Sequence, residues 1–215
     1  TYDALNRMDS VVAPSGDVTV YLYNEVGNRD SVIHANGTSV GYQYDALNRL
    51  IKVTNTGAGG SVISSYKYEL NDAGIRTAVV EQDGSRVDYG YDALYRLTSE
   101  TRTGAHAYSM AYTYDNVGNR LTKVDSTGTT SYGYNNRDQL LTETAPSGAT
   151  TYTYDPAGRM LTKTDPSGTT TYGWLDNDRM VSVTGPSVNA TYVYDHDGRR
   201  VQADGKHYLI DNGFQ

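Results

Sequence analysis

Polar and aromatic residues alternate in Thr151-Tyr152-Thr153-Tyr154, which puts both tyrosines on one face of an extended strand and both threonines on the other. β-Branched and aromatic residues fill the stretch, the composition that strands favour. Asp155-Pro156-Ala157-Gly158 then predicts a type I turn: Asp first, Pro with its preset φ second, and Gly where a positive φ is tolerated. Arg159-Met160-Leu161-Thr162-Lys163-Thr164 reads as the return strand, Asp165-Pro166-Ser167-Gly168 as a second turn of the same chemistry, and Thr169-Thr170-Thr171-Tyr172 as the start of the next unit. The unit is a β-hairpin, and consecutive hairpins form a meander. Return strands are less regular. Leu97, Leu121 and Leu140 open them and Lys52, Lys123, Glu143 and Lys163 lie further along, without an alternation clean enough to assign faces.

The same phrase recurs ten times: aromatic, any residue, aromatic, acidic residue, then Arg about five positions on. The second aromatics are Tyr2, Tyr23, Tyr44, Tyr68, Tyr91, Tyr114, Tyr134, Tyr154, Trp174 and Tyr194, spaced 21, 21, 24, 23, 23, 20, 20, 20 and 20 residues apart. The first aromatics lie two residues earlier, at Tyr21, Tyr42, Tyr66, Tyr89, Tyr112, Tyr132, Tyr152, Tyr172 and Tyr192. A fixed period in this range marks a repeat architecture that grows by adding units. One hairpin buries too little to offset the ordering of its own residues, so stability must come from neighbouring repeats. About twenty strands at ~4.8 Å would make a ribbon nearly ~100 Å long, and open sheets rarely exceed ~10 strands without curling. The expectation is an all-β fold: residues 1–215 as a single repeat array of antiparallel β-hairpins forming one long, curled or spiral sheet, a shell-like wall.

The repeats are not identical copies. The fourth inserts residues between Glu69 and Arg76, the seventh has Gln139 in the Arg position with Arg137 displaced, and the ninth has Trp174-Leu175 for Tyr-Asp. After Arg199 the pattern fades, and Lys206-His207-Tyr208-Leu209-Ile210 reads as one last strand. Asp155 and Arg159, Asp45 and Arg49, Asp92 and Arg96, and Asp195 and Arg199 flank the first turn. The Asp fixes the turn through backbone N–H groups, and the Arg either pairs with it or lies over a tyrosine ring.

Tyrosine dominates the composition: 21 Tyr beside one Phe and one Trp, with 18 of the 21 in the repeat positions. A dry core would accept Phe as readily, since a buried hydroxyl needs a partner. The preference points to a thin wall with the hydroxyls at a wet surface. A net charge of −7, with nine of 13 Arg spread over the repeat positions, argues against nucleic acid as a partner. With no Cys there is no disulfide framework or thiolate metal site, a composition compatible with an exported bacterial protein. No apolar run approaches the length of a membrane-spanning helix, so no membrane insertion is expected. The chain opens at Thr1-Tyr2-Asp3 in mid-repeat, and is expected to be a fragment of a longer polypeptide.

Tyr44-Asp45-Ala46-Leu47-Asn48-Arg49-Leu50, Tyr91-Asp92-Ala93-Leu94-Tyr95-Arg96-Leu97 and Tyr114-Asp115-Asn116-Val117-Gly118-Asn119-Arg120-Leu121 resemble the YD repeats of bacterial RHS proteins, which also occur in the B/C components of insecticidal toxin complexes and in teneurins. The resemblance covers essentially the whole chain. It implies a β-sheet spiralling into a hollow shell, a secreted or cell-surface bacterial location, and a toxin or other cargo domain of the same polypeptide as partner. Nothing resembling the family's Asp- and Gly-containing self-cleavage segment is found.

No catalytic, cofactor-binding or metal-ligating residue is assigned. His34, His106, His196 and His207 are scattered, without i, i+4 pairing, and are expected at the surface. Gly57-Ala58-Gly59-Gly60 lacks the strand-and-helix context of a phosphate loop and reads as a hairpin end. Asp195-His196-Asp197-Gly198 faintly resembles a calcium loop but occupies the ordinary repeat turn and lacks the bidentate Glu. Asn36-Gly37-Thr38 and Asn189-Ala190-Thr191 fit the glycosylation triplet, a common chance match in Thr-rich sequence. The first expectation is therefore a structural protein rather than an enzyme. The alternative is an adhesion or carbohydrate-binding module that stacks sugars, or binds cell-surface proteins, on the tyrosine face.

Overall fold

The computed structural model describes residues 1–207, which form strands and turns without a helix. They fall into two compact units, Thr1–Met110 and the stretch from Ala111 onward. The first unit opens with an isolated antiparallel bridge between Tyr2 and Met8. It continues through β1 (Ser10–Val12), β2 (Val18–Tyr23), β3 (Arg29–Ile33), β4 (Ser39–Tyr44), β5 (Leu50–Thr56), β6 (Val62–Leu70), β7 (Arg76–Glu81), β8 (Arg86–Tyr91) and β9 (Leu97–Thr103). Each of these strands pairs antiparallel with the next.

The unit boundary falls within β10 (Tyr108–Tyr114). The second unit then runs through β11 (Arg120–Asp125), β12 (Gly128–Tyr134), β13 (Leu140–Ala145), β14 (Gly148–Tyr154), β15 (Met160–Asp165), β16 (Gly168–Trp174), β17 (Met180–Gly185), β18 (Val188–Tyr194), β19 (Arg200–Ala203) and β20 (Lys206–His207). These also pair in sequence, antiparallel throughout. The array of antiparallel hairpins is as the sequence predicts. Of the expected last strand, Tyr208-Leu209-Ile210 lie outside the described residues.

Strand alternation holds where it was legible. In β14 the half-buried residues are Gly148, Thr150, Tyr152 and Tyr154, while Ala149, Thr151 and Thr153 are exposed. The turn after each second aromatic is a type I turn closed by an added residue. In the eighth repeat the Gly158 N–H donates to the Asp155 carbonyl at 3.0 Å and the Asp155 N–H to the Arg159 carbonyl at 2.9 Å. The fourth turn residue lies at positive φ in every repeat, from Asn6 and Gly27 through Asn48, Gly74 and Gly118 to Gly158 and Gly198. Tyr95 takes the same conformation at φ 60, against the usual restriction of that region to Gly, Asn and Asp.

Just beyond the turn each hairpin carries a β-bulge. Tyr154 pairs with Met160 but Thr153 pairs with Thr162, so Leu161 is an extra residue. The same shift recurs at Tyr23, Tyr44, Tyr91, Tyr134, Trp174 and Tyr194. It breaks the period of two, which is why return-strand faces are not readable from sequence.

The far ends of the hairpins differ between units. In the first, five-residue turns close at Ala13–Asp17, His34–Thr38, Gly57–Ser61 and Glu81–Ser85. In the second, Asp125–Gly128, Ala145–Gly148, Asp165–Gly168 and Gly185–Val188 are themselves ladder pairs, leaving two-residue loops. Asp165 and Gly168 thus pair around Pro166-Ser167, the four-residue turn that the sequence predicts. The shorter loop accounts for the tighter repeat of the second unit.

Little of the chain is fully buried. Among the described residues the buried apolar ones are Val32, Ala78, Val79, Val87, Val183 and Ala190, and Ser85 is buried with them. Each unit is a thin wall without a thick core. Close contact comes instead from neighbouring repeats, as at the loops where a Cβ placed on Gly148 would fall 2.5 Å from Pro166 Cγ. Gly148 also sits at φ 139. Gly148→Ala is therefore expected to cost about 1–3 kcal/mol in urea denaturation. Gly59→Ala, in open space, is expected to stay within about 0.5 kcal/mol of the unaltered chain.

Candidate functional site

The most regular chemical feature is a ladder of aromatic side chains linking repeat to repeat. The second aromatic of one repeat donates to the backbone carbonyl at the bulge of the repeat before it. Tyr23 Oη reaches the Met8 carbonyl at 2.8 Å, Tyr44 the Arg29 carbonyl at 2.9 Å and Tyr91 the Arg76 carbonyl at 2.8 Å. In the second unit Tyr134 reaches Arg120 at 3.0 Å, Tyr154 reaches Leu140 at 2.9 Å and Tyr194 reaches Met180 at 2.9 Å. Trp174 does the same through its indole Nε1, 2.8 Å from the Met160 carbonyl. The bonds of Tyr23, Tyr44 and Tyr91 lie exposed and those of Tyr134, Tyr154 and Tyr194 half-buried, so the hydroxyls sit near solvent as composition indicates but are committed to the backbone. They satisfy backbone acceptors, and this explains why Phe is nearly absent and why Trp substitutes where Phe would not.

The fourth repeat is placed differently from the sequence reading. The residue that pairs with the sixth position onward is Leu70, opposite Arg76. The positive φ four residues later is at Gly74. Leu70 therefore holds the second-aromatic position and Tyr68 the first, two residues away from the assignment that tyrosine spacing gives. The extra residues lie before the turn, in the nine-residue strand β6.

Arginine has two roles separated by one residue. As the fifth residue after the second aromatic it bonds the turn Asp in four repeats: Arg7 Nε to Asp3 at 2.7 Å, and Arg49, Arg96 and Arg159 Nε to Asp45, Asp92 and Asp155 at 2.6 Å each. Arg7 also lies over the Tyr23 ring at 4.4 Å, and Arg179, beside Leu175 instead of Asp, lies over Tyr194 at 5.8 Å. When it is the sixth, it lies over the first aromatic of its own hairpin: Arg29 over Tyr21 at 5.3 Å, Arg76 over Tyr68 at 4.1 Å, Arg120 over Tyr112 at 6.0 Å and Arg200 over Tyr192 at 5.2 Å. Arg120 also lies 4.3 Å from the Tyr132 ring of the next repeat. Where Gln139 replaces Arg, Asn135 replaces Asp, and their amides bond at 2.7 Å without charge. Turns are tied to their neighbours as well. Arg49 Nη1 donates to the Asn71 carbonyl at 3.0 Å, Asn28 Nδ2 to Asn48 at 3.0 Å, and Asn119 Nδ2 to Asp138 at 2.8 Å.

Several tyrosine hydroxyls have raised proton affinity. Burial raises the Tyr134 and Tyr154 hydroxyls above the ordinary tyrosine value, and burial together with Glu143 raises Tyr152. The hydrogen bond from Tyr108 to Glu100, with burial added, pushes Tyr108 up to about 12. At the turns, the Arg49 and Arg96 backbone N–H groups, aided by their guanidinium groups, hold Asp45 and Asp92 below the usual carboxylate range.

The other candidates from sequence lie apart from one another. His34, His106, His196 and His207 are all exposed. Gly57 through Gly60 form a hairpin end, with Gly60 at φ 81. Asp195-His196-Asp197-Gly198 forms the tenth repeat turn, the Gly198 N–H donating to the Asp195 carbonyl at 3.1 Å. Asn36 sits at an exposed turn, where its Oδ1 accepts from the Thr38 N–H at 3.0 Å and from the Thr38 hydroxyl at 2.7 Å. No group of three or more His, Asp or Glu able to hold a metal ion occurs among the described residues.

Removing a ladder hydroxyl should weaken the array. Tyr154→Phe is expected to lower stability by about 1 kcal/mol, since the carbonyl keeps its place and loses its donor, and Trp174→Phe by more, since it also removes part of a half-buried ring. Tyr172→Phe serves as the control, because the Tyr172 hydroxyl has no hydrogen-bond partner among the described residues; its urea midpoint is expected to stay put. Stability is also expected to fall at both ends of the pH scale. The depressed turn carboxylates contribute above the unfolded Asp value, so their contribution is lost as pH falls below about 4. The raised tyrosines contribute below the unfolded value of about 10. That contribution is lost as pH climbs toward the Tyr108 value of about 12. Urea midpoints across this range check both limbs.

Comparison with known proteins follows the same geometry. Solved structures of Tc toxin assemblies are among those that resemble the chain in fold. A crystal structure of TcdB2-TccC3 has a TM-score of 0.67 at 14% identity, covering 94% of this chain and 16% of that one. TcdB2-TccC3-Cdc42 has a TM-score of 0.65 at 17% identity, covering 89% and 14%. The Photorhabdus luminescens Tc holotoxin pore has a TM-score of 0.66 at 17% identity, covering 89% and 13%. The chain thus spans about one-seventh of the length of these relatives. A search of curated proteins finds no match. The RHS Repeat family matches residues 23–62, 114–150, 134–170 and 154–187, together more than half of the sequence. The chain belongs to the RHS repeat family.

Proposed function

We propose that this chain is a non-enzymatic stretch of wall, a single continuous array over residues 1–215, in a secreted bacterial RHS-type container that encloses or presents a toxin or other cargo domain of its own polypeptide. The observation that carries the reading is the ladder itself. Its most regular polar groups, the second-aromatic hydroxyls and the Trp174 N–H, are committed to backbone carbonyls of the same chain. Groups committed in this way hold repeats together and are not free to bind a diffusing substrate. The fold likeness to TcdB2-TccC3 structures and the family match support a wall built from such repeats. Glycan binding on the tyrosine face is less favoured for the same reason, since most of the first aromatics are half-buried and several lie under arginine.

Electron microscopy of the natural polypeptide that carries these repeats tests the reading. A hollow particle with the repeats in its wall and density inside is expected, with the enclosed segment resisting protease until the particle is denatured. A solid globule, an extended filament, or a cargo segment cut at the same rate in the intact particle would contradict it.

A further inference from the structure

One position of the aromatic ladder is empty of a ring. Leu70 occupies the place that Tyr44 and Tyr91 hold in the flanking repeats, with the same pairing six residues on and the same positive φ four residues on. Leucine supplies neither a ring nor a donor. In the repeats around it the bulge carbonyls of Met8, Arg29 and Arg76 each accept from an aromatic side chain, whereas the Leu50 carbonyl receives no side-chain donor among the described residues.

An open groove of about 490 Å³ lies at this position, lined by Arg49, Leu50, Leu70, Arg76, Tyr89 and Tyr91 among others. Its polar groups are held in place. Arg76 is laid on the Tyr68 ring at 4.1 Å, and its own carbonyl is fixed by Tyr91 at 2.8 Å. No ion pair engages the Arg76 side chain among the described residues. Arg49 is tied to Asp45 and to the Asn71 carbonyl. The groove therefore combines leucine walls, a guanidinium that favours the face of an aromatic ring, and a position along the ladder where neighbouring repeats place a hydroxyl donor.

We propose that this groove binds a tyrosine side chain presented by a partner polypeptide, the guest ring filling the missing rung and its hydroxyl donating to the Leu50 carbonyl. The choice of guest follows from the repeats themselves, which fill the equivalent position with a phenol or an indole and in each observed bond donate to a carbonyl. A carboxylate would suit Arg76 but has no proton for Leu50. A phenyl ring would fill the space and leave that acceptor unmet. The inference goes beyond the wall reading and stands or falls without it.

The test is an NMR titration of the chain with N-acetyltyrosinamide, using N-acetylphenylalaninamide as the comparison. Saturable shifts confined to residues of β5 to β9 and their turns are expected for the tyrosine compound, with the phenylalanine compound roughly tenfold weaker, the loss of one hydrogen bond. Leu70→Tyr is expected to abolish these shifts and to raise the urea midpoint, because the chain then supplies its own rung. Equal binding of the two compounds, absence of saturation, or undiminished binding to Leu70→Tyr would each overturn the proposal. Should Leu70→Tyr fail to fold, the comparison of the two ligands on the unaltered chain decides the matter.

Discussion

The structure depends on a hydrogen bond from one repeat's aromatic side chain to the backbone carbonyl at the bulge of the repeat before it. A hairpin of this size has almost nothing to bury, and the buried apolar residues of both units number a handful of Val and Ala. In such a wall the stabilising terms lie between nearest neighbours, as in other repeat arrays. The bulge and the ring work as a pair. The added residue shifts the return strand so that one carbonyl meets the next repeat's side chain, and the tyrosine reaches it across the interface. Tyr154 and Leu140 show the arrangement in one repeat, and Trp174 with Met160 shows that a different donor serves equally.

The arginines reinforce the same interfaces by alternation. In the fifth position Arg49 or Arg159 closes its own turn through Asp45 or Asp155 and then reaches the next turn, as Arg49 does to Asn71. In the sixth position Arg29, Arg76 and Arg120 lie over the first aromatics. A shift of one residue in sequence thus moves the charge from the turn edge to the tyrosine face.

Much of this was legible in the sequence, for definite reasons. Tyr-x-Tyr alternation fixes a strand face, and Asp155-Pro156-Ala157-Gly158 encodes its turn residue by residue. The return strands were not legible, because the bulge at Leu161 breaks the period on which face assignment rests. The fourth repeat misled for the same kind of reason. Tyr66 and Tyr68 match the aromatic spacing, but the strand runs two residues further and the turn position falls to Leu70. Tyrosine counts pointed to hydroxyls in water, since no sequence pattern marks a backbone carbonyl as the partner. The near-absence of Phe was the available signal, and it pointed to hydrogen bonding without naming the acceptor.

The central claim concerns the hydroxyl protons, and these can be observed directly. In tyrosine-labelled protein, the hydroxyl-proton exchange rates of Tyr23, Tyr44, Tyr91, Tyr134, Tyr154 and Tyr194 measured by NMR at low temperature should be well below that of free tyrosine, while Tyr172 exchanges at close to the free rate. If the ladder hydroxyls exchange as fast as Tyr172, the bonds between repeats do not hold the array, and the account given for its tyrosines is wrong.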